Sequence, residues 1–260
     1  MRNENEKAII KTNYDDDSEG VIEGRNAVIE ALRAGINIDK VFIVKGETDS
    51  THRFIASSAR EAGATVVEVD KRKLDSMSRT HAHQGVIAMA GYAEYVTIGQ
   101  ILDLAYEKGE EPLIVICDEI SDPHNLGAII RTSHAAGAHG VIIPKRRSSG
   151  AGATVVKASS GAIFHTAISR VTNISQAIRE LKNAGVWVFG AAAGAGTALW
   201  ESDFTCAAAF VIGSEGKGIS RLVSENCDHI VNIPMNGQIS SLNASVSAAI
   251  LLFEAVRQRR

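Results

Sequence analysis

Three polar turns in the second half of the chain carry the residues that could do chemistry. Each turn follows an apolar segment that is typical of a buried strand, at residues 113–120, 207–213 and 229–234. In a parallel sheet such turns gather at the carboxyl ends of the strands, where ligands bind. The sequence therefore predicts one polar site built from three separated loops.

The first turn holds Asn125, and the helix predicted after it holds Arg131, six positions later. Asp122 or Asn125 can cap this helix, and Pro123 suits its first turn. The residues one helical turn from Arg131 are mostly small, so its guanidinium should be accessible. An ordinary surface arginine would have the same neighbours, so both interpretations stay open.

The second turn runs from Gly213 to Ser220 and contains Glu215. It resembles a phosphate-binding loop, but Ile219 stands where that loop requires lysine, which excludes an ATPase of this type. Gly194 and Gly196 likewise lack the third glycine of a dinucleotide-binding fingerprint. The glycines still allow a flat ligand to approach the backbone closely.

The third turn joins a strand to the last helix and contains Ser241 and Asn243. Serine and asparagine are preferred helix caps, so capping is the simpler interpretation and a site role is the alternative. Apolar residues recur at helical spacing in the helix, which predicts that their face packs on the core. That face consists of Val246, Ala249, Ile250, Phe253 and Val256.

Acid–base chemistry has few candidate groups in this half of the chain. No Ser-His-Asp order and no metal-ligand cluster is present, and we expect no metal. Cys117, Cys206 and Cys227 lack metal-ligand spacing and are predicted to be small buried thiols. The residues favour a reaction that depends on positioning more than on proton transfer.

The first part of the chain is predicted to form a smaller α/β layer, because short strands alternate with helices from residue 20 to residue 91. Three basic residues at 71–73 are followed closely in sequence by the polar loop 80–85. Together they form either a solvated surface or an edge that contacts the phosphates and bases of a nucleic acid. The basic run 145–147 is a second candidate for that role.

Charge and hydropathy restrict the class of protein. The net charge of −3 is carried entirely by residues 1–19, predicted to be a disordered acidic tail, so nucleic-acid binding would depend on local basic patches. No apolar run is long enough for a membrane span or a signal peptide, and we expect a cytoplasmic protein. The sequence predicts three further parts of the chain: a small domain at 20–91, a linker at 92–112 and a larger domain at 113–260. Within the larger domain, residues 154–165 are predicted to form one helix.

The residues DPHNLGAIIRT, FVIGSEGKGIS and IPMNGQISSLNASVSAAILLFE resemble the three ordered motifs of the SpoU/TrmH-type RNA ribose 2′-O-methyltransferases of the SPOUT superfamily. The resemblance covers residues 113–260, and residues 20–91 resemble the family's small substrate-binding domain. The likeness is greatest to bacterial members that methylate a guanosine ribose in 23S rRNA.

The resemblance implies an α/β fold whose mostly parallel sheet carries helices on both faces and a deep C-terminal trefoil knot. It implies S-adenosyl-L-methionine as cofactor, 23S rRNA as substrate and a homodimer through the last helix and the knot. The implied cofactor-binding residues are Ala192, Gly213, Ile233, Met235 and Leu242. The implied catalytic residues are Asn125, Arg131, Glu215, Ser241 and Asn243. The residues expected to contact RNA are Arg25, Lys71, Arg72, Lys73, His83, Gln84, Lys145 and Arg146.

Within that resemblance, Arg131 acts either as a base toward the 2′-hydroxyl or as a clamp on the neighbouring phosphate and the developing alkoxide. The clamp is favoured, since a guanidinium keeps its proton in proteins. Two other functions remain open. One is methylation of another rRNA or tRNA nucleotide, including an adenosine whose methylation confers antibiotic resistance; the other is non-catalytic RNA binding in ribosome assembly.

Overall fold

The computed structural model describes residues 20–33, 35–46, 49–78, 82–91, 94–194, 196–238 and 241–260. The predicted acidic tail at 1–19 lies outside these residues. No helix among them is long and apolar enough to cross a membrane.

The first elements form a four-stranded sheet with three helices against it. They are β1 (Val21–Glu23), α1 (Arg25–Arg33), β2 (Ile38–Val44), α2 (Ser50–Glu61), β3 (Thr65–Val69), α3 (Lys71–Met77) and β4 (Val86–Ala90). The strand order is β1-β4-β2-β3, with β2 and β3 parallel and the other pairs antiparallel. Val28 of α1 and Ile55 of α2 are fully buried against Val41 and Val86, so this part of the chain has its own core.

The remaining elements build a second, larger sheet. They are β5 (Tyr95–Val96), α4 (Ile98–Glu107), β6 (Leu113–Asp118), α5 (Pro123–Ala135), β7 (Gly140–Pro144), α6 (Ala153–Ala158), β8 (Ile168–Val171), α7 (Ile174–Asn183), β9 (Trp187–Ala191), β10 (Thr197–Ala198), β11 (Ala208–Gly213), α8 (Arg221–Asn226), β12 (His229–Asn232) and α9 (Ala244–Gln258).

The larger sheet has eight strands in the order β10-β12-β9-β11-β6-β7-β8-β5, and each pairing in it is parallel. Successive residues of its central strand β6 enter different cores. Val115 and Cys117 pack with α5 and α9, whereas Ile114 and Ile116 pack with α4 and α7. Since both faces of β6 are covered, its sequence is apolar without alternation. The predicted α/β architecture is confirmed.

The predicted linker at 92–112 requires a correction. Its residues Tyr95 and Val96 form the edge strand of the larger sheet, paired with β8. Helix α4 packs so closely on β7 that a Cβ at Gly140 would lie 2.6 Å from the Ile101 side chain. The described part of this segment is therefore a packed part of the larger domain, because the apolar face of α4 needs that sheet for burial.

Two helix predictions also differ from the structure. The helix predicted at 154–165 is interrupted after α6, because Ser160 and Gly161 have positive φ angles of 51° and 80°. In α9, Val246 and Phe253 of the predicted face are exposed, whereas Ile250 and Val256 pack against the core as predicted. The buried residues are Ala244, Ala248, Leu251, Leu252 and Ala255. The helix is apolar nearly all round, so periodicity alone could not identify the face that packs on the core.

Candidate functional site

The three polar turns meet at one edge of the larger sheet. Strands β6 and β11 are paired so that Asp118 lies opposite Gly213, which starts the first and second turns side by side. Strand β9 lies next to β11, and β12 lies next to β9, so the third turn emerges at the same edge. The order of the parallel strands therefore brings the three loops together at one edge, as the sequence predicts.

A polar cluster joins the three turns through their side chains. The Asn125 amide nitrogen donates to Glu215 Oε1 at 3.1 Å. The Asn243 amide nitrogen donates to Asn125 Oδ1 at 2.9 Å and also contacts Glu215 Oε1. One residue from each turn contributes, and the carboxylate accepts from two amides. This arrangement fixes the relative positions of the loops.

Asn243 is both a helix cap and a member of this cluster. Its Oδ1 accepts hydrogen bonds from the Ser245 backbone nitrogen at 2.9 Å and from the Ser245 hydroxyl at 2.6 Å. Its amide nitrogen faces the opposite way, toward Asn125 and Glu215. One end of this side chain therefore caps the helix, and the other end joins the polar cluster.

The second turn is a closed loop with no room for side chains at its base. Ser214 and Gly218 exchange backbone hydrogen bonds of 3.1 and 2.8 Å. A Cβ on Gly213 would lie 2.0 Å from the Gly218 backbone, so only glycine fits there. Asp118, which the sequence analysis did not select, holds the far end of the loop by accepting from the Ser220 nitrogen at 2.7 Å. The sequence feature that could have identified Asp118 is a carboxylate at the end of an otherwise apolar strand.

A cavity of about 440 Å³ opens beside the polar cluster. All five residues implied to bind cofactor line it: Ala192, Gly213, Ile233, Met235 and Leu242. Glu215 and Ser241 line it too, as do Lys217 and Ser247, which were not selected from the sequence. The volume is within the usual range for a small-molecule site, and apolar side chains with a few polar groups are the usual lining.

Gly196 has a different role from the one expected of it. A Cβ there would lie 1.9 Å from the Ile230 carbonyl oxygen, so its missing side chain makes room for β12 rather than for a ligand. The Asn232 amide nitrogen donates to the Gly196 carbonyl at 3.2 Å and holds the two segments together.

Arg131 is not part of the polar cluster within one chain. It lies on α5, six residues and about 9 Å of helix rise beyond Asn125. Its side chain is exposed and makes no hydrogen bond or ion pair to the residues described. The expected contacts that orient Arg131 are therefore not made inside a single subunit.

Gln84 is exposed, and six more of the eight residues expected to contact RNA divide into three groups. Lys71, Arg72 and Lys73 are exposed in the first turn of α3, and Arg146 is exposed in the loop after β7. Lys145 is half-buried in that loop. Arg25 is bound inside its own domain, since it donates to the Gln84 carbonyl at 3.0 Å and pairs with Asp49 at 2.9 Å.

His83 was expected at the RNA-contacting edge, but the structure buries it. Its Nδ1 accepts a hydrogen bond from the Gly85 nitrogen at 3.0 Å, so its Nε2 carries the proton that faces Asp75 at 2.9 Å. With 5% of its surface exposed and both nitrogens occupied, the ring fixes the loop and has no free edge for RNA.

The cysteine thiols are unsuited to nucleophilic chemistry. Burial raises the pKa of Cys117 to about 12, with a further contribution from the charge of Asp118. Burial likewise raises the pKa of Cys227 to about 12 and also raises the pKa of Cys206. No group of three or more His, Cys, Asp or Glu side chains that could hold a metal occurs in the part of the chain that the structure describes.

A parallel sheet whose carboxyl-edge loops close around one cavity and one amide–carboxylate cluster defines an α/β protein that acts on a ligand at that edge. The chain belongs to the SpoU rRNA Methylase family, whose model matches residues 112–253. Residues 21–96 match the model for RNA 2′-O ribose methyltransferase substrate binding. The protein is therefore an RNA methyltransferase of the SpoU family.

Curated relatives share nearly the whole chain. It is 44% identical over 236 residues to the putative TrmH family tRNA/rRNA methyltransferase YacO of Bacillus subtilis, covering 91% of this chain and 94% of that protein. It is also 44% identical over 239 residues to a putative TrmH family tRNA/rRNA methyltransferase of Staphylococcus haemolyticus, covering 92% and 96% of the two chains.

Solved structures have the same architecture. The SpoU methyltransferase AviRb from Streptomyces viridochromogenes, crystallised in complex with the cofactor AdoMet, matches with a TM-score of 0.58 at 25% identity, covering 92% of this chain and 90% of that one. An AdoMet-bound rRNA methyltransferase from Sinorhizobium meliloti matches with a TM-score of 0.57 at 27% identity, covering 91% and 86%.

Proposed function

We propose that this protein transfers the methyl group of S-adenosyl-L-methionine to the ribose 2′-hydroxyl of a guanosine in 23S rRNA. One observation carries the proposal. Glu215 lies in the wall of the 440 Å³ cavity and also accepts hydrogen bonds from the cluster that joins the three loops. Methyl donor and acceptor would therefore meet at this carboxylate.

The residues around the cavity suit S-adenosylmethionine. Ile233, Met235 and Leu242 offer apolar surfaces for a flat adenine, and Gly213 places backbone at the cavity wall. The exposed Lys217 lies at the wall, where its ammonium group can meet the cofactor's carboxylate. When bound, the cofactor supplies an electrophilic sulfonium methyl.

The reaction joins the methyl carbon to the ribose oxygen as the sulfur–methyl bond breaks. The products are 2′-O-methylated RNA and S-adenosylhomocysteine, and the hydroxyl proton is released to water. The chain's contribution is position and charge: Asn125, Asn243 and Ser241 orient the ribose, and Arg131 holds the adjacent phosphate and the developing alkoxide. Holding two reactants in line supplies up to about 7–11 kcal/mol of the barrier reduction.

The position of Arg131 supports a shared site in a homodimer. Val246 and Phe253 expose 44% and 49% of their surfaces on one face of α9, which packs beside α5. These positions are seven residues apart, so they form a stripe that a second copy of α9 can cover. A partner seated there would bring its own Arg131 toward the neighbouring polar cluster.

The small domain and the loop after β7 would bind RNA through exposed cations. Lys71, Arg72 and Lys73 lie at the positive end of the α3 dipole, so helix stability does not account for them. Phosphate contact does account for them. The cytoplasm, where rRNA is found, is the expected location.

Membership of the family also supports a trefoil knot between the second and third turns. Residues of both turns line the same cavity.

Other RNA targets remain as alternatives, because the curated relatives carry the general description tRNA/rRNA methyltransferase. They are a tRNA nucleotide or an rRNA adenosine. A non-catalytic assembly factor is disfavoured by the intact cluster of Asn125, Glu215 and Asn243.

Methyl transfer from radiolabelled cofactor tests the proposal. We expect label in a 23S rRNA transcript, in an alkali-resistant dinucleotide that begins with guanosine, since 2′-O-methylation blocks alkaline cleavage. Label in tRNA, or in a dinucleotide that begins with adenosine, would replace the proposed substrate with one of the alternatives. No transfer to any RNA, from a preparation that binds the cofactor, would leave the assembly-factor function. Mapping the missing methyl group in rRNA from a deletion strain identifies the nucleotide.

A further inference from the structure

A buried ion pair joins the two sheets. Asp39, at a register shift in β2, accepts a hydrogen bond at 3.0 Å from Arg170 of β8. The side chains of Asp39 and Arg170 are only 5% and 4% exposed. Arg170 also donates to the Asp39 backbone carbonyl at 2.9 Å. Such a pair is costly to bury and is tolerated when further hydrogen bonds satisfy both charges.

Tyr95 supplies one of those further bonds. Its hydroxyl donates to Asp39 Oδ1 at 2.6 Å, and its ring lies 5.1 Å from the Arg170 guanidinium carbon. Burial and the charge of Asp39 raise the pKa of this phenol, so it remains a donor at physiological pH. The hydroxyl also accepts from the Ala151 backbone nitrogen at 3.3 Å.

Thr65 of β3 supplies another. Its hydroxyl accepts from Arg170 at 2.8 Å and donates to the Lys145 backbone carbonyl at 3.2 Å. The loop from 145 to 151 is thus bound at its first residue by Thr65 and at its last by Tyr95. Gly150 completes the fit, since a Cβ there would lie 2.5 Å from the Asp39 carboxylate.

The same loop leads into the helices that carry the candidate site. It continues into α6, whose Ala158 packs so closely on α5 that a Cβ at Gly127 would lie 2.5 Å from it. Inside the loop, Ser149 donates its backbone nitrogen to the Ile120 carbonyl at 3.0 Å, in the turn before α5. A direct chain of contacts therefore runs from the small domain to the helix that holds Asn125 and Arg131.

We propose that Asp39, Thr65, Tyr95 and Arg170 form an interdomain latch that sets the position of the small domain and of loop 145–151 against the candidate active site. These four are positioning residues, because none of them lines the cavity or joins the polar cluster. This inference rests on the proposed function: the latch determines where RNA that is bound by the small domain presents its ribose. A loosened latch should weaken productive RNA binding and leave the cofactor site intact.

Tyr95→Phe tests the latch with the least disturbance, because it removes the hydroxyl and keeps the ring over Arg170. Tyr106→Phe is the matched control, since Tyr106 is exposed on α4 and its hydroxyl has no partner among the described residues. Hydrogen exchange, measured without RNA or cofactor, should be about fivefold faster or more at the amides of 145–152 in Tyr95→Phe, with α9 unchanged. Unchanged exchange in that loop would overturn the latch.

Kinetics test the consequence for RNA. Tyr95→Phe should raise the KM for RNA about tenfold while kcat and cofactor affinity stay within about twofold of wild type. Loss of kcat or of cofactor binding at unchanged KM would refute the positioning role. If Tyr95→Phe fails to fold, Thr65→Val carries the same tests at a partly exposed position. If the wild-type protein methylates no RNA, the proposed function fails, and the exchange experiment still decides the latch.

Discussion

The side-chain nitrogen of Asn243 lies 2.9 Å from the side-chain oxygen of Asn125, across 118 positions of sequence, while its own oxygen caps the last helix. The contact makes the start of α9 and the start of α5 one structural unit. Glu215 binds both amides, so the second turn belongs to the same unit. The start of α9, where backbone N–H groups need partners, therefore lies at the polar cluster.

Two substitutions at Asn243 should separate its roles. Asn243→Ala removes the cap and the cluster contacts, and should lower the free energy of unfolding by about 1 kcal/mol and abolish methyl transfer. Asn243→Ser keeps a capping oxygen, but its shorter side chain does not reach Asn125 and Glu215, so it should approach wild-type stability and remain inactive. Thermal unfolding and labelled-methyl transfer check both. An active Asn243→Ser protein would reduce this residue to a cap.

His83 should prove structural. His83→Ala leaves the buried Gly85 nitrogen without its acceptor and should lower the free energy of unfolding by about 1–3 kcal/mol. His83→Asn offers an oxygen in place of Nδ1 and should recover part of that loss. Denaturant titration of both proteins, with RNA binding measured on the folded fraction, checks this. Weaker RNA binding at unchanged stability would return His83 to the RNA-contacting edge.

The exposed face of α3 should account for part of the salt dependence of RNA binding. Replacing Lys71, Arg72 and Lys73 together with alanine removes up to three phosphate contacts and should reduce the slope of log affinity against log salt by about two. The control replaces three exposed cations of the larger domain: Lys108, Arg179 and Arg221. Equal slopes for the α3 variant and wild type would mean that RNA binds elsewhere, with Arg146 as the next candidate.

His139 predicts how stability depends on pH. Its Nδ1 accepts a hydrogen bond from the Leu113 backbone nitrogen, and its Nε2 faces Glu110. Burial lowers the pKa of His139, although the hydrogen bond and charge of Glu110 act in the opposite direction. The unfolded chain protonates His139 more readily than the folded chain does. The contribution of His139 to the free energy of unfolding is therefore fully present above about pH 6.5, and it is lost as the pH drops through that value toward the lower pKa of the folded state.

Melting temperatures measured between about pH 7.5 and pH 5.5 should therefore decline on acidification. His139→Asn keeps a hydrogen-bond acceptor without a titrating ring and should flatten the decline. An identical pH profile for His139→Asn and wild type would assign the acid sensitivity to other groups.

Local sequence signals were enough to predict that the three polar turns meet at one edge of the sheet. Apolar runs identify the strands, and the polar turn after each one identifies the edge where Asn125, Glu215 and Asn243 meet. The sequence also shows Asn243 as a cap and as a candidate site residue; its oxygen caps α9, and its amide nitrogen joins the polar cluster. Since strand register places Asp118 beside Gly213, the loops converge without any further signal.

Contacts between distant segments could not be predicted in the same way. Asp39 and Arg170 lie 131 positions apart, and each is unremarkable in its own strand. Residues 92–112 were predicted as a linker, and only the close fit at Gly140 shows which sheet helix α4 packs on. In α9 the apolar residues surround the helix, so the buried face depended on tertiary packing.

Mixed dimers test the central claim most directly. Arg131→Ala and Asn243→Ser should each be inactive alone, and Arg131→Ala should still bind S-adenosylmethionine. When they are coexpressed, half of the dimers are mixed and each holds one intact shared site, so labelled-methyl transfer to 23S rRNA should return to about a quarter of wild type. Transfer by Arg131→Ala alone, or a mixture as inactive as its components, would contradict a site in which Arg131 of one subunit completes the polar cluster of the other.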